Sequence, residues 1–240
     1  MKLNLFDSTE SQILRPERDL PYVFVGRHRE LCGLENHFNV VSNRKLGSSG
    51  LVLVCGIPGI GKTQLIEKFA RAKEESGEAL WLRLHTEDLT EGLDQLVRSK
   101  HKQPIIVTVD EVQNLQQSQA DILGKFHIGT PDHPMMVVCA GLQNSYSVLQ
   151  KHGLSRLGEV FSLDLLNQSE CETAIRKMLD VWGVDVIGTG QDSVDLKVQE
   201  LAISSQGFPC HLQSHLSTLK AVILERGKNF GSEEDWIQVD

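Results

Sequence analysis

The chain has 240 residues, 40% of them hydrophobic, which is enough to bury a sizeable core in one large domain or in a core plus a smaller one. Acidic residues outnumber basic ones, 32 to 24, for a net charge of −8. That excludes a surface built throughout for nucleic acid. The five cysteines form no CxxC pair, which predicts a reduced intracellular protein without a zinc site. The absence of a signal-like start or an 18-residue apolar run predicts a cytoplasmic protein with no membrane partner.

Residues 1–21 are polar and broken by Pro16 and Pro21, and read as an arm. Tyr22–Val25 is a short apolar run that meets Gly26, and a helix follows with Leu31, Leu34, Phe38 and Val41 on one face. Two readings of Val23–Gly26 stand: a segment lining the adenine side of a nucleotide site, or an ordinary strand-to-helix corner. After a polar loop to Gly50 comes Leu51–Cys55, an apolar run suited to a parallel strand covered on both faces.

Gly56-Ile57-Pro58-Gly59-Ile60-Gly61-Lys62-Thr63 follows, matching GxxxxGK[ST], with Gln64 next and Leu65, Ile66, Phe69 and Ala70 at helical spacing behind. A strand before and a helix after are the context a phosphate loop requires. Its glycines let successive amides turn inward on phosphate, and the helix N-terminus adds partial positive charge. Lys62 supplies a mobile cation for the β and γ phosphates, and the Thr63 hydroxyl can ligate Mg²⁺.

Gly77 ends that helix, Ala79–Leu84 reads as a second strand, and Leu89–Lys100 as a short helix. Ile105–Val109 is a third strand, ending in Asp110 and Glu111. Paired with the upstream loop, Asp110 is expected to hold Mg²⁺ beside Thr63, and Glu111 to polarise water. Asn114–Phe126 is expected to be an amphipathic helix, and Met135–Ala140 a fourth strand. Gln143 or Asn144 then serves either as a polar sensor between phosphate and water or as a helix cap. Val160–Leu163 is the fifth strand.

From Leu165 onward only helices are predicted. Ser169–Glu172 reads as a capping box, followed by an apolar face from Cys171 to Trp182. Val194, Val198, Leu201 and Ala202 mark a second helix, and Pro209 opens a third with Leu212, Leu216, Leu219 and Ile223. Residues 227–240 read as an acidic tail.

The phosphate loop, the Asp110-Glu111 pair, the segment Val25-Gly26-Arg27-His28-Arg29-Glu30 and the late helices together resemble an AAA+ P-loop ATPase. The similarity is greatest to its initiator-like and STAND-like branch. The resemblance implies an α/β fold: a five-stranded parallel sheet flanked by helices over residues 22–164, with a small all-helical lid at 165–226. It implies Met135–Ala140 inserted between the loop strand and the glutamate strand. It also implies Mg²⁺-ATP as the bound nucleotide, hydrolysis in a homo-oligomer, and a macromolecular partner. The acidic balance tilts that partner towards protein rather than DNA. Arg156 stands where such proteins carry an arginine that reaches a neighbour's γ-phosphate; a plain surface arginine is the other reading. Two departures concern sensing. Gly207-Phe208-Pro209-Cys210 lacks the arginine of the usual Gly-x-Pro-Arg, and Leu142 stands where a small polar residue is common.

Overall fold

The computed structural model describes residues 23–43, 50–86, 89, 103–126, 134–183 and 191–226. The expected arm, the residue 44–49 loop, most of the Leu89–Lys100 helix and the tail lie outside the described residues. The chain divides into two compact units. An α/β unit spans Gly26–Leu166 with Phe208–Cys210. Of the described residues, a helical unit holds 167–183, 191–207 and 211–226, together with 23–25.

In the α/β unit the order is α1 (His28–Ser42), β1 (Leu51–Cys55), α2 (Lys62–Glu75), β2 (Leu80–Leu84), β3 (Ile105–Val109), α3 (Gln117–Phe126), β4 (Met135–Gly141), α4 (Ser145–Lys151) and β5 (Glu159–Ser162). The five strands form one parallel sheet in the order β2-β3-β4-β1-β5, so β4 is inserted between the loop strand and the acid-bearing strand as expected. Every residue of β1, β3 and β4 is buried, as a doubly covered parallel strand demands, whereas the edge strands β2 and β5 are partly exposed.

Alternation along the strands divides the core. Leu51, Leu53, Ile105, Val107, Val109, Val137 and Cys139 share one cluster with Leu123 of α3 and Leu149 of α4. Their neighbours Val52, Val54, Ile106, Met136 and Val138 point the other way, to the side where α1 and α2 lie against the sheet. α1 buries Leu34, His37, Phe38 and Val41. Phe38 meets Phe69 of α2 edge-on, at 6.3 Å between ring centroids. Lys73, although buried, keeps its charge by reaching Glu35 of α1 at 2.5 Å and Glu78 at 2.8 Å, 5.0 Å from the Phe38 ring centre. These contacts fix α1 against the helix that carries the phosphate loop.

The stretch expected as one helix over Asn114–Phe126 is two pieces. A 3₁₀ turn over Val112–Asn114 gives way to extended backbone at Leu115, and α3 starts only at Gln117. Leu115 is buried and anchors the break, while the Gln119 side chain accepts the Gln116 amide at 2.8 Å.

The helical unit contains α5 (Gln168–Val181), α6 (Gln191–Ser204) and most of α7 (Pro209–Arg226). The capping box of α5 is Asn167 with Glu170, not Ser169 with Glu172. The Glu170 amide donates to Asn167 Oδ1 and the Asn167 amide to Glu170 Oε2, each at 2.9 Å. The extended backbone of Asn167 places the cap there and leaves Ser169 inside the first turn, its carbonyl accepting the Thr173 hydroxyl. The expected apolar faces are buried: Cys171, Ala174, Ile175, Met178 and Leu179 on α5, and Val194, Val198, Leu201 and Ala202 on α6. On α7, Leu212, Leu216 and Leu219 are buried and Val222 completes the stripe, with Ile223 only half-buried.

Candidate nucleotide site

Parallel strands put all their C-terminal ends on one edge, and open α/β sheets bind ligands there. The loop Gly56–Gly61 leaves β1 at that edge, and Gly56 donates its amide to Gly141 O at the end of β4, 3.3 Å away. Gly59 (φ 74°) and Gly61 (φ 93°) adopt left-handed conformations that a side chain would resist. Gly61 is also the N-cap of α2, so the helix opens directly from the loop. Ile60 between them is 1% exposed and pins the loop to the core, while Pro58 and Gly59 face solvent.

Lys62 folds back over the loop, donating to Gly56 O at 3.1 Å and Ile57 O at 3.0 Å. Burial pushes its ammonium below the ordinary value, opposed by Asp110, Cys55 and Glu111 in that order. A half-buried cation that donates to two loop carbonyls is ready to exchange them for anionic oxygens. Behind it, burial pushes the Cys55 thiol up, against a hydrogen bond from Ser162 and the Lys62 charge. Cys139 on β4 is pushed up to about 12 by burial alone, so it packs as an inert apolar residue.

The Thr63 hydroxyl donates to Asp110 Oδ2 at 2.7 Å across 47 residues of sequence. The other carboxylate oxygen accepts the Glu111 amide at 2.8 Å. A hydroxyl and a carboxylate, adjacent and half-buried, are the hard oxygen donors that Mg²⁺ selects, so these residues fit the ion. Glu111 is exposed and holds a left-handed backbone (φ 55°, ψ 39°), which costs a non-glycine residue about 1–2 kcal/mol. Strain of this kind concentrates at functional positions. Asn114 donates to Glu111 Oε2 at 3.3 Å.

Of the other residues expected at the site, Gln64 is exposed on the first turn of α2. Asn144 is exposed at the start of α4, on the same sheet edge as the loop, and its side chain makes no cap bond. Gly26 begins the α/β unit, whereas Val25 groups with the helical unit. Arg156 is exposed just before β5. Gly158 pairs with Leu51 at the opposite, N-terminal edge of the sheet. The five residues of β1 separate that edge from the loop by about 16 Å. Arg156 is therefore not brought to its own chain's loop.

Three contributors carried no assigned role in the sequence. Gln113 accepts the Leu142 amide at 3.2 Å, tying the acid-bearing turn to the segment after β4. Arg27 donates from its guanidinium to Ile60 O at 3.2 Å. Cys210 lies against the loop, where a Cβ built on Gly59 would stand 2.5 Å from its Sγ. The only signals for them were positional: two residues after an acidic pair, inside a Val-Gly-Arg box, and in place of a missing arginine.

No family model matches the sequence, and no curated protein matches it. Solved structures do. The RuvB Holliday junction branch migration motor of Thermotoga maritima aligns with a TM-score of 0.63 at 17% identity, covering 90% of this chain and 69% of that one. The ORC2 protein of Aeropyrum pernix aligns in its ADP form with a TM-score of 0.67 at 14% identity, covering 91% of this chain and 69% of that one. In its ADPNP–ADP complexes the values are 0.69 and 13%, covering 92% and 68%. At such identities the likeness establishes the fold.

Proposed function

We propose that this chain, which has the fold of the AAA+ P-loop ATPases, binds Mg²⁺-ATP at Gly56–Thr63 and hydrolyses it to drive or gate a macromolecular partner. The observation that carries the reading is the Thr63–Asp110 contact at 2.7 Å, next to a lysine that donates to two carbonyls of its own loop.

The backbone of Gly56, Ile57, Pro58, Gly59, Ile60 and Gly61 cradles the phosphates, with Lys62 on the β and γ oxygens. Gln64 flanks the loop on α2, and Val25 and Gly26 line the base. Thr63 and Asp110 hold Mg²⁺, which when bound neutralises charge on the phosphate oxygens. Glu111 orients and deprotonates the attacking water, freed from Asn114 when it does so. Asn144 lies on the same edge and contacts the γ-phosphate or the water. Arg156, remote from its own loop, acts on the loop of a second copy, so turnover depends on self-association. The net charge of −8 favours a protein over DNA as the further partner.

One observation favours a second reading, a nucleotide-dependent switch with negligible turnover. The thiol of Cys210 lies at the loop, in the position where the AAA+ resemblance implies an arginine.

A single experiment separates the two. Nucleotide binding and phosphate release are measured for wild type, Glu111→Gln and Arg156→Ala over a range of protein concentration. Hydrolysis predicts unchanged binding and about 10²–10⁴-fold slower release for Glu111→Gln. It also predicts that release by Arg156→Ala no longer rises with concentration. Tight binding with no release by wild type selects the switch, and no binding at all overturns both.

A further inference from the structure

We infer that Arg27 is a positioning residue for the phosphate loop: its guanidinium holds the Ile60 carbonyl oxygen and so sets the peptide whose amide the loop presents to phosphate. This deepens the nucleotide-site reading above and rests on it.

Arg27 is an unusual residue for its place. Gly26 and Arg27 both have left-handed backbones, with φ of 66° and 61°, and Arg27 is the N-cap of α1. Glycine, asparagine or aspartate suit such a position, through conformational freedom or a short capping side chain. Arginine has neither advantage, and its side chain makes no cap bond. Its backbone carbonyl still accepts the Leu31 amide at 2.9 Å, so the helix starts normally without it. What the side chain does instead is reach 33 residues ahead to Ile60 O, at 3.2 Å, from a half-buried position.

Ile60 is then held at both ends. Its side chain is buried against Gly56, where an added Cβ would stand 2.9 Å from Ile60 Cγ2, and its carbonyl is held by a cation. The Ile60–Gly61 peptide is trans, like every peptide among the described residues, and in a trans peptide C=O and N–H point in opposite directions. With the Ile60 oxygen turned to Arg27, the Gly61 amide must point away from it. Gly61 is the residue that opens α2 and precedes Lys62. Were this peptide to flip, a carbonyl oxygen would replace an amide on the phosphate side, which repels an anion instead of binding it. One hydrogen bond from outside the loop thus guards the polarity of the cradle.

The test uses Arg27→Asn, because asparagine keeps the left-handed cap and withdraws the clamp, with Arg27→Lys to restore the charge. Hydrogen–deuterium exchange over residues 56–62 is followed without nucleotide, beside binding of ADP and of inorganic tripolyphosphate. The clamp predicts about tenfold faster exchange in Arg27→Asn, confined to the loop, with β1 and α5 unchanged. ADP and tripolyphosphate should weaken together by about tenfold, and Arg27→Lys should recover part of both effects. Unchanged loop exchange in Arg27→Asn overturns the inference, as does weakened ADP binding with tripolyphosphate unaffected, which would assign Arg27 to the base. If wild type binds neither ligand but its loop loosens in Arg27→Asn, the clamp stands and the nucleotide reading falls.

Discussion

Replacing Thr63 by valine keeps the shape and β-branching of the side chain and removes one proton donor. The hydrogen bond lost is the 2.7 Å contact to Asp110 Oδ2. Hydrogen bonds to charged groups contribute about 1.5–3 kcal/mol net, and water can reach this half-buried pair, so the lower end applies, about 1–2 kcal/mol. For a chain of this size that corresponds to about 2–8 °C in Tm for the nucleotide-free protein. A double-mutant cycle with Asp110→Ala isolates the pair, read by urea unfolding followed by circular dichroism and fluorescence together. The expected coupling is about 1–2 kcal/mol. In a parallel titration, ADP at about a hundred times its Kd adds about 2.7 kcal/mol of stability. Thr63→Val should lose the Mg²⁺-dependent part of that gain. Coupling below about 0.3 kcal/mol, with the Mg²⁺ effect intact, would refute the view that Thr63 and Asp110 form one ion-binding unit.

Lys62→Met should raise the Tm of the nucleotide-free protein at pH 7 while abolishing nucleotide binding. The folded-state pKa of Lys62 is lowered by burial, so its protonated form is a liability throughout the range below the folded value. That liability fades as pH rises from the folded value towards 10.5, so the advantage of the variant should narrow in alkaline buffer. A variant less stable than wild type at pH 7 would contradict this. Glycine normally destabilises relative to alanine, but at φ 55° the order should invert. Glu111→Gly is expected to be more stable than Glu111→Ala by about 1 kcal/mol in chemical unfolding, and the ordinary order would show that the left-handed backbone is not held in solution.

Chemistry that depends on neighbours in sequence was open to direct reading. The unbroken apolar runs at Leu51–Cys55, Ile105–Val109 and Met135–Ala140 can be satisfied only by strands covered on both faces, and each is a buried strand. The spacing Gly56–Thr63 carries its own meaning, because adjacent amides and a helix start make the anion site. Register and edge were not legible. No local signal says that β4 lies between β1 and β3; the family resemblance supplied that order. Nor does any local signal say that α3 should wait for Gln117, which follows from burying Leu115.

Tertiary structure alone decided which distant groups meet. Thr63 and Asp110 join because β3 and β1 end on one sheet edge, and Arg156 is kept from that edge because it precedes β5 instead of following it. The bond from Arg27 to Ile60 depends on how α1 sits against α2, fixed by Lys73, Glu35, Phe38 and Phe69. Local sequence therefore determined where the cradle lies and which amides form it, since these are adjacent peptides. What stands around the cradle was decided by the fold, because side chains far apart in sequence acquire a distance only once the sheet is ordered.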